Sequence, residues 1–301
     1  MSAKLTLGPL FFNWKPEVRT DFYARIADEA DVDVVYLGEV VCSKREPFFE
    51  DDLPAIAERL TRAGKEVVFS TLALITTERE MKSIRELVES GASVEANDVA
   101  AISLLNGRPH VTGPLINVFN EATADFLIEK GATRINLPME LSSKAIGIMA
   151  RHNSVETEVM VFGRQPLSIA MRCYHARAYG LHKDNCQFVC ELDPDGLAAD
   201  QLDGNPLLMV NGTQTMSHGY AVLLHQLATL QEQGVSHFRL SPQDTDMVGV
   251  ARLYRGVLDG ALGPNDALAQ LRALMPDTLL VNGFVNAREG MAWVEPEPLR
   301  S

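Results

Sequence analysis

Four cysteines are the residues of this sequence whose type and spacing could do chemistry: Cys42, Cys173, Cys186 and Cys190. Three of them fall within one 18-residue stretch in the pattern C-x12-C-x3-C, and the fourth stands far upstream. A chain of 301 residues needs no disulfide staples, and its start does not read as an export signal. In a reducing compartment such clustering favours metal ligation or redox chemistry over structural bridges. Four thiolates are compatible with structural zinc or with an iron–sulfur cluster. Only Cys186 and Cys190 make the tight pair usual at zinc knuckles. The spacing therefore leans toward a [4Fe–4S] cube, while metal identity rests on geometry. The bland alternative makes Cys42 a small buried hydrophobe and the other three incidental thiols.

Thiols so far apart in sequence need a scaffold that brings them to one face, and a repeating grammar along the chain supplies it. Amphipathic runs end in glycine, and a β-branched strand follows within a few residues. Leu53, Ile56 and Leu60 stop at Gly64 before Glu66-Val67-Val68-Phe69. Met81, Ile84, Leu87 and Val88 stop at Gly91, Phe126 and Leu127 at Gly131, and Leu223, Leu227 and Leu230 at Gly234. Glycine supplies the left-handed residue that closes a helix and turns the chain into the next strand. Strands are expected to begin near Lys4, Asp33, Glu66, Ala92, His110, Thr133, Thr157 and Val235, the last after a gap of 78 residues. Short strands alternating with helices make a parallel sheet, and eight at this spacing fit a closed TIM-like (β/α)8 barrel.

The expected layout is one barrel domain over residues 1–260, with a cysteine-bearing insertion after the seventh strand at about 163–221. Residues 261–301 read as a C-terminal extension packed on the barrel. Barrel chemistry sits on the loops after the strands' C-terminal ends. Cys42 follows the second strand and the other three cysteines follow the seventh, so all four can converge on that face.

Composition narrows the function classes. Lys plus Arg number 27 against 40 Asp plus Glu, a net charge of −13, which lacks the footprint of a nucleic-acid or polybasic membrane-surface binder. Charged residues make up 22% and hydrophobic ones 46%, which excludes wholesale disorder. No apolar run approaches the roughly 20 residues of a membrane span. Leu5 to Phe12 reads as a first buried strand, without the basic start and small-residue cleavage site of a signal peptide. The expectation is a soluble cytoplasmic protein. Neither a His-Glu-x-x-His zinc helix nor a Gly-x-Ser-x-Gly nucleophile elbow occurs, so nothing argues for a peptidase.

Several segments resemble a known family. Tyr36-Leu37-Gly38-Glu39-Val40-Val41-Cys42-Ser43-Lys44-Arg45 is similar to a signature of the collagenase-like peptidase superfamily, in particular its UbiV-type ubiquinone-biosynthesis branch. So are Ser70 to Leu74, Arg172 to Arg177, Asn211 to Ser217 and Arg239 to Gln243. The likeness runs from about Leu7 to about Leu258 and takes in all four cysteines in order. It implies a TIM-like barrel holding one [4Fe–4S] cluster on Cys42, Cys173, Cys186 and Cys190. It further implies a heterodimer with a UbiU-type sister subunit, an associated UbiT-type lipid carrier, and oxygen-independent hydroxylation of aromatic-ring quinone precursors under anaerobic conditions. Prephenate is the oxygen donor associated with related members.

Glu39, Ser43, Lys44 and Arg45 surround Cys42 at the expected active face. A carboxylate substrate favours cations, planar ones above all, so Lys44, Arg172 and Arg239 join Glu39 as candidate substrate-binding residues. The plain alternative makes Glu39 and Lys44 solvated loop charges, and gives Arg172 and Arg177 to the electrostatics of an anionic cluster. Asn211 and Gln214 read as residues that orient backbone. His175 and His182, inside the cysteine stretch, could replace a thiolate as ligand but fit a supporting or surface role better, and no histidine carries a catalytic assignment. A structural or electron-transfer partner of a catalytic sister subunit is the competing function, with an RNA-modifying hydroxylase behind it.

Overall fold

The protein is described by a computed structural model covering residues 3–295; Met1, Ser2 and residues 296–301 of the expected C-terminal extension lie outside the described residues. Strand and helix alternate from the start. β1 (Lys4–Leu7) leads to α1 (Pro16–Glu29), β2 (Val34–Leu37) to α2 (Leu53–Arg62), and β3 (Glu66–Ser70) to α3 (Glu78–Glu89). β4 (Val94–Ala96) leads to α4 (Val99–Leu105), β5 (His110–Thr112) to α5 (Glu121–Glu129), and β6 (Ala132–Leu137) to α6 (Ser143–His152). After β7 (Glu156–Ile169) come α7 (Tyr174–Ala178), β8 (Leu197–Ala199), β9 (Leu208–Asn211) and β10 (Gln214–Val222). α8 (Leu227–Glu232), β11 (His237–Leu240), α9 (Met247–Leu258), α10 (Pro264–Leu274) and β12 (Leu280–Val281) complete the chain.

Local chemistry explains these boundaries. α3 opens on a capping box, in which Thr77 accepts from the Glu80 amide and the Glu80 carboxylate accepts from the Thr77 amide. Ile84 and Val88 then repeat at helical spacing on its buried side. Val34, Val35, Tyr36 and Leu37 of β2 are all buried, as a parallel strand covered on both faces must be.

β1 to β7 pair in sequence order, and β11 lies parallel between β7 and β1, closing eight strands into a (β/α)8 barrel. Each expected strand start falls within two residues of the observed one. Leu5 and Leu7 of β1 and Phe238 and Leu240 of β11 point outward into the core beneath the helices. The alternate residues fill the barrel with a charged network. Glu158 accepts from Thr6 Oγ1 at 2.5 Å, Tyr36 OH at 2.8 Å and Arg239 Nη2 at 2.6 Å. Arg239 also pairs with Glu95 at 2.7 Å, and Arg134 donates to Tyr36 OH at 3.1 Å. Burial pushes the Glu158 carboxyl up, but Arg239 and Arg134 outweigh it and hold the group at about 2.

The seventh strand departs from the expected pattern. Its apolar run ends near Phe162 in the sequence, yet β7 continues for 14 residues to Ile169. Its first half belongs to the barrel, where Leu137 faces Val159 and Arg239 faces Met160. Its second half leaves the barrel and pairs antiparallel with β10, which pairs with β9 and that with β8. Gly163 is the pivot. Its φ is +115°, and a Cβ there would stand 2.8 Å from Ser241 Cβ and 2.9 Å from Gln243 Nε2. A side chain would block the close crossing of β7 over the end of β11. The stretch expected as a loop insertion therefore contains a small antiparallel sheet standing on the barrel's C-terminal mouth. Farther on, α10 packs against α9, and β12 joins β10 in parallel. Among the described residues no helix is long and apolar enough to cross a membrane.

Candidate metal centre

All four cysteines are free thiols and line one cavity, together with Lys44, Arg45, Lys183, Phe188, Val189 and Gly212. The cavity encloses about 340 Å³ of atom-free space, part of it open to solvent. Cys42 reaches it from the loop after β2, and the other three from the segment after β7. Cys173 caps α7, its sulfur accepting the Ala176 amide at 3.3 Å. Cys186 ends a short 3-10 turn at Lys183–Asn185, and Cys190 lies within another at Val189–Glu191. Between them Gln187 and Phe188 are both left-handed, with φ of 49° and 54°. Both flanking sulfurs line the same cavity.

Barrel residues hold this arrangement from beneath. Asn13, in the loop after β1, donates its side-chain amide to Cys190 Sγ at 3.5 Å. Trp14 Nε1 donates to the Pro194 carbonyl at 2.8 Å. The Glu39 side chain is largely covered, and one carboxylate oxygen accepts the amides of Val41 at 2.7 Å and Cys42 at 2.9 Å, which shapes the loop that presents the first thiol. Arg45 is 3% exposed; Nη1 donates to the Phe11 carbonyl at 2.8 Å and Nη2 to Asn211 Oδ1 at 2.9 Å. Burial raises the Cys42 thiol despite Arg45 and raises the Cys173 thiol despite the Ala176 amide. Burial likewise lifts the Glu39 carboxyl against the pull of Arg45 and the two amides.

The donor set is all sulfur, supplied with N–H groups and buried positive charge. Soft thiolates of this kind select zinc, copper(I) or iron–sulfur clusters, and N–H···S bonds are among the levers that tune clusters. Among the described residues no three His, Cys, Asp or Glu side chains stand so as to hold a single metal ion. The four thiols share one cavity wall.

A second, larger cleft adjoins the first, enclosing about 1330 Å³ of atom-free space, and Lys44, Cys173 and Lys183 belong to both walls. Lys44, Arg79, Arg172, Arg177 and Lys183 line it against only Glu80 and Asp184. This concentration of cations is unusual in a chain of net charge −13.

The candidate residues separate accordingly. The four cysteines and Lys44 gather at the thiol cavity, Arg172 lines the cleft beside it, and Glu39 stands behind the cavity wall, bonded to the Cys42 amide. Lys44 is tied to the Lys183 carbonyl at 2.6 Å. Arg239 lines neither space; it lies inside the barrel on the Tyr36 ring, between Glu95 and Glu158. The alternation His237-Phe238-Arg239-Leu240 carries the signal for that inward direction. His175 has both ring nitrogens engaged, with Asp193 at 2.8 Å and the Val210 carbonyl at 3.2 Å, which makes it a brace. Asn13, Arg79 and Lys183 were not singled out from sequence. Asn13 meets its cysteine across 177 residues and left no local trace.

The profile of peptidase family U32 matches residues 21–294. The chain belongs to peptidase family U32. A solved U32 peptidase is 13% identical to this U32 chain, covering 81% of it and 94% of the other at a TM-score of 0.44. The dihydropteroate synthase from Anaplasma phagocytophilum is 12% identical, covering 87% of this chain and 100% of its own at 0.46. That from Thermus thermophilus is 14% identical, covering 87% and 95% at 0.44.

Proposed function

We propose that this U32 chain is the iron–sulfur subunit of a cytoplasmic, oxygen-independent hydroxylase acting on aromatic-ring precursors of ubiquinone. In this reading Cys42, Cys173, Cys186 and Cys190 hold one [4Fe–4S] cluster. A UbiU-type sister subunit completes a heterodimer, and a UbiT-type carrier presents the lipid precursor. The observation that carries the reading is the convergence of four free thiols on one cavity at the barrel mouth. The resemblance of the cysteine-bearing segments supplies the pathway.

When bound, such a cluster supplies one-electron transfer. The chain's own residues do the rest. Lys44 and Arg172 place positive charge where an anionic co-substrate such as prephenate can rest against the Cys173 wall. Glu39 keeps the Cys42 loop in shape through two amides. Asn13 and the Ala176 amide donate to two of the sulfurs.

A second reading, an electron-transfer partner whose sister subunit holds the substrate, is favoured by the same donor set, because four protein thiolates fully ligate a cube. Anaerobic purification followed by a visible spectrum and iron, sulfide and zinc analysis tests both. About four irons and four sulfides per chain are expected. A colourless protein with one tightly held zinc would overturn the cluster. Replacing Arg172 by Met in the loaded heterodimer separates the two readings, since a pure electron carrier keeps full turnover.

A further inference from the structure

Arg45 is a charged side chain with almost no access to solvent, at 3% exposure, and it forms part of the wall of the thiol cavity. Its position is over-determined. The Phe11 carbonyl takes Nη1, the Asn211 side chain takes Nη2, and Asn211 is fixed in turn by donating to the same Phe11 carbonyl at 2.6 Å. Gly212 lies against the guanidinium with φ of +63°, and a Cβ there would come within 2.6 Å of Nη2. The chain thus leaves a side chain out where Arg45 must pass.

These partners hold Arg45 but offset its charge only loosely. Two are neutral oxygens, and the one carboxylate paired with it, Glu39, stands 3.9 Å from Nη1 with its nearer oxygen already taking two amides. Nε is buried without any partner. A buried guanidinium with one loose ion pair and an unpartnered Nε is costly unless a further anion completes it. Apart from Arg45 itself, the ionisable groups lining the cavity are the thiols, Lys44 and Lys183, with Glu39 behind the wall. Both lysines extend toward the cleft that they also line, which leaves Arg45 as the buried cation of the set.

We propose that Arg45 is the built-in counter-charge of the four-cysteine site, and that its fixed position sets how readily a group held there accepts an electron. The proposal rests on the cluster reading above. A cube on four thiolates carries −2 when oxidised and −3 after taking one electron from a low-potential donor. A fixed positive charge beside it stabilises the more negative state and raises the midpoint potential. Arg45 is a positioning residue here: it moves no proton and forms no bond to substrate.

The test is an anaerobic redox titration of the reconstituted protein, followed in the visible and by EPR with dithionite and mediators. Arg45→Gln is expected to weaken affinity for the electron at least tenfold, a fall of about 59 mV for one electron. Arg45→Lys, which keeps the charge, is expected to restore most of it. A loaded Arg45→Gln protein with an unchanged midpoint overturns the proposal and leaves the cluster reading intact. A wild type that takes up no iron and sulfide overturns the cluster reading first. Should Arg45→Gln fail to fold, Gly212→Ala serves, because the new methyl displaces the guanidinium while keeping its charge in the protein. A lowered midpoint in Gly212→Ala supports the proposal, and an unchanged one refutes it.

Discussion

Asn13 and Cys190 meet at 3.5 Å, side-chain amide to sulfur, although one belongs to the first βα loop and the other to the segment after β7. The contact joins the barrel to the structure that stands on its mouth. It also places an N–H donor on a sulfur of the cavity, where outer-shell bonds of this kind orient and tune a metal ligand.

Asn13→Leu removes that donor at similar volume. Partners of metal ligands typically change affinity 10–100-fold, so iron in the reconstituted variant should pass to an anaerobic chelator at least ten times more readily than in wild type. Equal retention would show that the bond only packs the loop.

Arg172 and Arg239 are equal candidates in the sequence for gripping a carboxylate, and the structure parts them. Arg172 is exposed in the cleft, so Arg172→Met should shift stability by no more than about 0.5 kcal/mol while lowering anaerobic ubiquinone formation in a complementation assay. Arg239→Met strands Glu95 and Glu158 in the barrel and should cost about 3–5 kcal/mol in urea unfolding. Wild-type stability in the Arg239 variant would refute the barrel network as a structural element.

Glu158 makes the barrel acid-sensitive. Its carboxyl stands at about 2 in the fold against an ordinary 4.5, so its stabilisation is complete above about 4.5 and is lost as pH falls from there toward 2. The shift corresponds to on the order of 3 kcal/mol. Thermal melts of wild type should drop through this window. Glu158→Gln, already destabilised at pH 7, should lack that share of the drop. Parallel curves for the two proteins would assign the acid sensitivity to other carboxylates.

The pivot of β7 can be tested against a neutral glycine. Gly163→Ala meets Ser241 and Gln243 within 3 Å at φ +115°, whereas Gly64→Ala, at φ +80°, meets nothing within 4 Å. The first should lower stability by about 2–4 kcal/mol and disturb the sheet that flanks the segment holding three cysteines. The second should cost only about 1 kcal/mol, the penalty of a left-handed alanine. Equal urea midpoints for the two variants would refute the pivot.

The eight strand–helix units could be read directly from the residues, because each is a local object. Apolar periodicity, a closing glycine and a β-branched run occupy some 20 to 30 residues and pair with the next unit along the chain. Closure followed from counting eight of them. The placement of the cysteines on the loops after the second and seventh strands was equally local. Their shared cavity was not. It depends on β7 running past the barrel at Gly163, and the hydrogen bonds for that extension come from β10, some fifty residues later. Arg239 behaves likewise: its strand was legible, but its partners lie on β4 and β7 and meet it only once the barrel closes. Arg45 was visible beside Cys42, yet its role as the buried charge of the cavity comes from Phe11, Asn211 and Gly212. Periodicity is written in neighbours along the chain, whereas burial, charge pairing and thiol convergence come from neighbours in space.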